Sequence, residues 1–266
     1  MFDLVPHGPD TFVGAGPQYP WGGLYGGQVV AQALRAASST VDPELLVHSL
    51  RAYFIRRGDH TEPVRYEVDR IRDGRSFATR RVVARQAVGA ILNLEASFQR
   101  AEGSASVQSV AAPDVAGPDE LAESSWSTQF GRRYVPESSI SQTDRTGAGR
   151  TVAWMKVDEG LDGGDPQLLH RCWLAFLSDD LATDAVLRAH PRREALEHDD
   201  ERLTASLDHT IWFHRPLSAH RWHLHDVNCH AFEGGRGLSI GHVFAADGTH
   251  VATFAQELLI RDPSLR

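Results

Sequence analysis

Cysteine is scarce in this chain of 266 residues, which contains only Cys172 and Cys229. Two cysteines without a CxxC motif exclude a disulfide framework, and we expect two reduced thiols in a cytoplasmic protein. Long apolar runs are also lacking, since none approaches the roughly 18 residues of a membrane span. The amino-terminal MFDLVPHGPD has neither the basic nor the apolar region of a signal peptide. The sequence therefore predicts neither export nor membrane insertion.

Basic residues are in the minority, with 27 Lys and Arg against 35 Asp and Glu, giving a formal net charge of −8. This balance argues against nucleic acid or an anionic membrane as the main partner, but it allows an anionic small molecule as a ligand.

Several catalytic and cofactor motifs are absent as well. There is no GxSxG elbow, no P-loop lysine and no GxGxxG fingerprint. We therefore predict no bound cofactor.

Histidine is more abundant, with 14 residues, but the pattern does not indicate a metal site. The histidines of the second half show neither HExxH nor paired Cys/His spacing: His209, His214, His220, His223, His225 and His230. His223 and His225 fall on one face of a predicted strand, where such pairs are usually at the surface. The sequence predicts no metal centre.

What the chain does contain is a pattern that occurs twice. Residues 48–99 and 208–256 each begin with an aromatic strand and a turn marked by Pro or Gly. Each passes through a Gly-Arg pair and ends on an apolar strand that carries a glutamine. The offset of about 160 residues is too long for a solenoid repeat, so two copies of one domain are predicted.

The periodicity within each copy predicts one long helix and an antiparallel sheet. The first helix starts at Gly26, and strands follow at 48–56, 63–72, 75–86 and 89–99. The second helix is predicted from an Asp165 N-cap as far as Pro191, with later strands at 204–214, 221–231, 236–245 and 249–261. The predicted organisation is an amino-terminal domain (1–100), a polar linker (101–150) and a carboxy-terminal domain (151–266).

Several strings, in order, resemble the acyl-CoA thioesterase II family, the double hot-dog thioesterases. In the first half they are YGGQVVAQAL (25–34), HSLRAYF (48–54), RDGRSF (72–77) and ASFQ (96–99). In the second half they are LAFLSD (174–179), DHTIWFHRP (208–216), Arg236-Gly237 and Gln256-Glu257. The resemblance implies an α+β fold of two tandem hot-dog units, each a long helix with an antiparallel sheet, forming one continuous sheet. It also implies hydrolysis of acyl-CoA to a free acid and CoA without a metal, and a homo-oligomer.

By this resemblance, the family's catalytic set falls on Asp179, Ser206 and Gln256; the family has a threonine or serine at the second position, and this chain has serine. Asp179 would take a proton from water, while Ser206 and Gln256 would hold that water. Asp179 follows the apolar run WLAFL, so partial desolvation is expected; Asp180 is the neighbouring alternative. The oxyanion would need backbone N–H donors, best supplied by a helix amino terminus.

The two glutamines that end the repeated pattern differ in the strand face on which they lie, as judged from the alternation of residues along each strand. Gln256 shares a strand face with apolar residues, whereas its counterpart Gln99 shares a face with polar ones. A glutamine in an apolar stripe needs hydrogen-bond partners, which a catalytic cluster would supply. The first-half helix also has no acidic residue between Gly26 and Thr40. One active site per chain is therefore predicted, in the second half.

Other assignments stay open at the level of sequence. Arg56, Arg72 and Arg75 are candidates for binding CoA phosphates, and a solvated arginine face is the alternative reading. A non-catalytic acyl-CoA-binding paralogue is one alternative function. A hot-dog enoyl-CoA hydratase is another, but Gly164-Asp-Pro-Gln lacks the histidine that its motif requires.

Overall fold

A computed structural model describes residues 1–140, 149–158, 160, 166–197 and 203–261. Gly164 and the predicted N-cap Asp165 lie outside these described residues. Contacts along the chain divide it into two compact units of similar size. The first unit comprises 1–106, 163–179 and 208–213, and the second comprises 107–162, 180–207 and 214–266.

The described residues form thirteen strands and four α-helices. The strands are β1 (Leu4–Pro6), β2 (Thr11–Gly14), β3 (Leu45–Phe54), β4 (Val64–Asp73), β5 (Phe77–Gln86), β6 (Gly89–Arg100), β7 (Phe130–Tyr134), β8 (Arg150–Val157), β9 (Leu203–Ser206), β10 (Asp208–Phe213), β11 (His223–Glu233), β12 (Arg236–Ala245) and β13 (His250–Arg261). The helices are α1 (Gly26–Ser38), α2 (Pro166–Leu177), α3 (Ala182–Ala189) and α4 (Arg193–Glu197).

The first unit packs α1 and α2 with an antiparallel sheet in the order β1-β2-β4-β5-β6-β3-β10. Apolar residues at helical spacing, from Val29 to Ala37, bury one side of α1 as the sequence predicts. The same α1 also contacts α2 and strands β3 to β6. The predicted combination of one long helix with a sheet is therefore confirmed for this unit.

Two glutamines on the other side of α1 are buried as well, which the sequence pattern did not indicate. Gln28 accepts a 2.5 Å hydrogen bond from the Tyr19 hydroxyl, and Gln32 accepts one of 2.6 Å from the Tyr66 hydroxyl. Both amides also donate to the carbonyl oxygen of Ala15. The amino-terminal segment therefore covers this face of α1, and hydrogen bonds compensate the buried amides.

The second unit has an antiparallel sheet in the order β13-β12-β11-β8-β7, and β9 pairs with β13. Helix α3 packs on β8, β11, β12 and β13. Trp154, Leu224 and Phe244 form a separate apolar cluster with residues of the preceding segment, which are Val110, Ala112, Val115, Leu121, Val135 and Ile140. The stretch predicted as a linker therefore contributes strand β7 and apolar cover to this unit.

The second predicted helix is not continuous as far as Pro191. It ends at Leu177, and α3 begins at Ala182. Between them, Asp180 accepts a 2.6 Å hydrogen bond from the Trp126 indole and forms a 2.5 Å ion pair with Arg132. These tertiary contacts fix the chain at the break, and a helical sequence pattern does not encode them.

The histidine pair of β11 also departs from expectation. His223 and His225 are both fully buried, so the prediction of surface residues is wrong. The physical reason is that β11 is a central strand between β8 and β12 and is covered on both faces.

No helix among the described residues is long and apolar enough to cross a membrane.

Candidate active site

Asp179 lies two residues beyond the last residue of α2 and is only 6% exposed. Its carboxylate approaches the first residue of α1, because a Cβ atom built on Gly26 would be 2.7 Å from Asp179 Oδ2. The same Cβ atom would be 2.9 Å from the Phe54 ring. Glycine at position 26 therefore permits the carboxylate to lie against the amino terminus of a helix.

That helix terminus offers a favourable electrostatic environment for negative charge. The N-cap residue Tyr25 makes no side-chain capping bond, and the first turn contains no acidic residue. The first N–H groups of an α-helix have no acceptor within the helix, and together they carry a partial positive charge. Asp179 therefore lies beside donors that suit an anion.

Tyr25 and Gly27 fix the start of α1 against the end of α2. The Tyr25 hydroxyl donates a 2.9 Å hydrogen bond to the carbonyl oxygen of Phe176, which lies in the last turn of α2. A Cβ atom on Gly27 would overlap that same carbonyl oxygen. The glycine pair predicted to start a helix thus also allows the two helix ends to approach closely.

The residue before Asp179 is held by a buried polar pair that the sequence analysis did not identify. Ser178 Oγ and His209 Nε2 lie 2.9 Å apart, and both side chains are fully buried. Ser178 belongs to the LAFLSD string and His209 to the DHTIWFHRP string, so the motifs contained this signal. The pair fixes the backbone next to Asp179 to strand β10.

Ser206 and Gln256 are in direct contact within the second unit. Gln256 Nε2 donates a 2.7 Å hydrogen bond to Ser206 Oγ, and Gln256 is fully buried. Strand β9 ends at Ser206 and pairs with β13, with Ser206 opposite Leu258. In this bond Ser206 Oγ is the acceptor and the Gln256 amide is the donor.

Both glutamines lie on the strand faces that the sequence predicts. On β13 the buried positions alternate through Ala252, Phe254, Gln256, Leu258 and Ile260. On β6 the buried positions are the apolar ones, and Gln99 falls on the more exposed face. The contrast between an amide inside an apolar stripe and one on a polar face is thus observed.

Asp180, the neighbouring alternative, occupies a different environment in the second unit. Its carboxylate is paired with Arg132 and accepts the Trp126 N–H. Nearby, the Tyr134 hydroxyl donates a 2.5 Å hydrogen bond to Asp184. Burial raises the pKa of Asp184, and the negative charge of Asp180 acts in the same direction. Asp180 is therefore part of a compact ion-pair network around Arg132.

The three arginines suggested for CoA phosphates are all exposed side chains of the first unit. Arg56 donates a 2.8 Å hydrogen bond to the carbonyl oxygen of Ala90. Arg72 lies near the end of β4, where its carbonyl oxygen accepts a bond from the buried Arg80. Arg75 lies in the turn that follows.

In the described part of the chain, no cluster of three or more His, Cys, Asp or Glu side chains is arranged to hold a metal ion.

Comparison with known proteins supports the resemblance over nearly the whole chain. A family model described as the acyl-CoA thioesterase C-terminal domain matches residues 107–260, and its N-terminal counterpart matches residues 16–99. The acyl-CoA thioesterase 2 of Haemophilus influenzae is 33% identical over 260 residues, covering 90% of this chain and 87% of that protein.

Solved structures show the same relationship. A crystal structure of acyl-CoA thioesterase II TesB2 from Mycobacterium marinum superposes with a TM-score of 0.87 at 35% identity, covering 99% of this chain and 96% of that one. A protein from Alicyclobacillus acidocaldarius described as having a hot dog fold gives a TM-score of 0.79 at 21% identity, covering 98% and 97%. The second match confirms the predicted hot-dog fold class. By sequence and by structure, this chain belongs to the acyl-CoA thioesterase II family.

Proposed function

We propose that this chain hydrolyses acyl-CoA thioesters to a free acid and CoA, with Asp179 as the general base that activates water. The observation that supports Asp179 most directly is its burial beside Gly26 at the amino terminus of α1. Asp180 fits the role less well, because Arg132 and Trp126 already occupy its oxygens.

The reaction requires a water molecule and no covalent intermediate on the protein. Asp179 accepts a proton as the water oxygen forms a bond to the thioester carbonyl carbon. The tetrahedral intermediate then collapses, the C–S bond breaks, and the electron pair leaves with the CoA sulfur. A proton returns to that sulfur, so the products are the carboxylic acid and the free thiol. Since a thiolate is a good leaving group, a strong nucleophile is not needed.

The start of α1 is our candidate for stabilising the oxyanion of that intermediate. The N–H groups of Gly26 and Gly27 are first-turn donors, and Gly26 lies beside the Asp179 carboxylate. Preorganised donors of this kind are worth roughly 3–4 kcal/mol each in transition-state stabilisation.

Ser206 and Gln256 complete the proposal as the groups that orient the water. Their hydrogen bond fixes both side chains, which reduces the entropy cost of holding a water molecule in one geometry. The fully buried Gln256 amide is a polar group in an apolar stripe, as expected of a residue retained for its hydrogen bonds.

We further propose that the exposed guanidinium groups of Arg56, Arg72 and Arg75 bind the phosphates of CoA.

We also propose that the protein is a homo-oligomer, on the basis of the family, and that it is cytoplasmic, on the basis of the two free cysteines, Cys172 and Cys229. Light scattering coupled to gel filtration tests the oligomer, since a measured mass equal to one chain contradicts it.

The proposed contact between the arginines and CoA is tested by Arg56→Ala, which should raise the KM for acyl-CoA more than it lowers kcat. Unchanged kinetics would show that Arg56 does not bind the CoA phosphates.

The function itself is tested by assaying purified protein against acyl-CoA substrates of increasing chain length. We expect one free thiol and one carboxylic acid for each acyl-CoA consumed. Conversion of an enoyl-CoA to a hydroxyacyl-CoA without thiol release would show a hydratase instead. Saturable acyl-CoA binding without any turnover would show a non-catalytic binding protein.

A further inference from the structure

Buried polar atoms that lack a hydrogen-bond partner are concentrated at one place in the second unit. In the described part of the chain, five such side-chain atoms occur, and four of them belong to Thr151, His223 and His225. They are Thr151 Oγ1, His223 Nε2 and both ring nitrogens of His225; the fifth is Nδ1 of His60. We call Thr151, His223 and His225 the His–Thr row.

The strand register places the whole row on one face of two neighbouring strands. His223 pairs with Met155, His225 with Ala153, and Val227 with Thr151, so the row occupies alternate positions of β11 and β8. All three side chains are fully buried. Each partnerless buried polar group costs roughly 1–3 kcal/mol, so three adjacent ones indicate a place built to receive a polar partner.

The row shares its sheet face with Gln256. His225 pairs with Val243 of β12, and Val243 pairs with Ala252 of β13, which lies four residues before Gln256 on the same buried face. Two strand spacings and four residues correspond to a Cα separation of about 16 Å between His225 and Gln256. The Phe254 ring, between Ala252 and Gln256 on that face, lies 6.3 Å from the His225 ring.

The row offers neutral donors and acceptors rather than charge. His223 Nδ1 lies 3.0 Å from the carbonyl oxygen of Arg221, which only accepts, so Nδ1 carries the proton and Nε2 is an acceptor. Neutral His225 supplies one donor and one acceptor, and Thr151 supplies an O–H. Burial lowers the pKa of His223 to about 4 and that of His225 well below its usual value. A carboxylate would find no positive charge on the row, whereas a hydroxyl group both donates and accepts.

We propose that the His–Thr row binds a hydroxyl group carried by the acyl chain of the substrate. The row thereby makes this chain selective for hydroxylated acyl-CoA over the plain hydrocarbon of equal length. This proposal rests on the proposed function, because it names a substrate class for the same hydrolysis. It assigns the row a role in specificity and none in the chemical step.

The test compares kcat/KM for dodecanoyl-CoA with that for isomers bearing one hydroxyl group near the thioester, at mid-chain or at the terminal carbon. We expect at least one mid-chain or terminal isomer to be preferred over dodecanoyl-CoA. Thr151→Val and His225→Phe should each reduce that preference by about three- to tenfold, which is the value of one hydrogen bond. His230→Phe, on an exposed position of the same strand, is the matched control and should leave the preference intact.

The outcomes distinguish the two proposals. No thiol release from any acyl-CoA contradicts the proposed hydrolysis itself. Thiol release with no preferred isomer, or with a preference that survives both substitutions, contradicts the His–Thr row alone. If His225→Phe does not fold, the isosteric Thr151→Val decides the question. A crystal structure with ordered water on the row and the substrate hydroxyl bound elsewhere would also overturn the proposal.

Discussion

The side chain of Gln256 donates a 2.7 Å hydrogen bond to the hydroxyl of Ser206, which joins the middle of β13 to the last residue of β9. Gln256 is fully buried among apolar neighbours on its strand face. A polar pair in such a position restricts both side chains to one geometry. It is the most direct link between the sequence motifs and the proposed water-binding role.

The first prediction concerns this pair. Ser206→Ala removes the hydroxyl that we propose orients water, and we expect kcat to fall by about 100-fold with a smaller change in KM. Ser206→Thr keeps the hydroxyl and should retain most of the activity. Gln99→Ala changes the corresponding glutamine on the polar face of β6 and serves as the control. Equal activity in Ser206→Ala and Gln99→Ala would remove the pair from the mechanism.

The second prediction separates the two adjacent aspartates. Asp180→Asn breaks the buried ion pair with Arg132, so the free energy of unfolding should fall by roughly 3 kcal/mol. The folded fraction should still release thiol from acyl-CoA. Urea unfolding and the thiol assay at a temperature below the transition give both quantities. An Asp180→Asn protein that is fully folded but inactive would transfer the role of base to Asp180.

The third prediction tests the close approach at the start of α1. In Gly26→Ala the new methyl group would be 2.7 Å from Asp179 Oδ2 and 2.9 Å from the Phe54 ring, so the carboxylate must move. We expect kcat to fall by about 10- to 100-fold and stability to fall by roughly 1–3 kcal/mol. Gly103→Ala meets no atom within 4 Å and is the matched control. A Gly26→Ala enzyme with normal kcat would contradict the proposed position of the base.

The fourth prediction follows from the buried histidines. The unfolded state binds a proton on His223 below about pH 6.5, but the folded state does so only near the lowered pKa of about 4. The stability that neutral His223 contributes is therefore present above pH 6.5 and is lost as the pH falls toward 4. Between pH 7 and pH 5 this loss is about 2 kcal/mol.

Denaturant unfolding at both pH values checks the sign and size of this effect. His223→Phe should lose less stability on acidification than the unmodified chain, by about 2 kcal/mol. His230→Phe changes an exposed histidine on the same strand and should follow the unmodified chain. Identical pH dependence in all three proteins would show that His223 is protonated as readily in the folded state as in the unfolded state.

Sequence periodicity predicted the exposed and buried faces well in strands where buried and more exposed positions alternate, such as β6 and β13. The alternation around Gln256 and Gln99 appears in the structure as the sequence indicates. Periodicity failed where two faces of an element are covered. His223 and His225 were misplaced because β11 is buried on both sides, and Gln28 and Gln32 because the amino-terminal segment covers α1.

The candidate site was only partly predictable for a related reason. The motifs indicated Asp179, Ser206 and Gln256. They also contained Ser178 and His209, but they did not show that these two side chains pair, nor that Gly26 contacts Asp179. Those contacts join segments more than 30 residues apart in the chain. A local sequence pattern does not contain such pairings, whereas the fold brings them together. At the break after Leu177 there is also a long-range contact, the ion pair of Asp180 with Arg132.

We propose that Asp179 activates the water that hydrolyses acyl-CoA. The most direct measurement is the steady-state rate of thiol release by Asp179→Asn, with circular dichroism and the melting temperature recorded on the same sample. We predict a fall in kcat of roughly 100- to 10,000-fold with native secondary structure and melting temperature retained. An Asp179→Asn protein that folds normally and releases thiol at the unmodified rate would contradict the account.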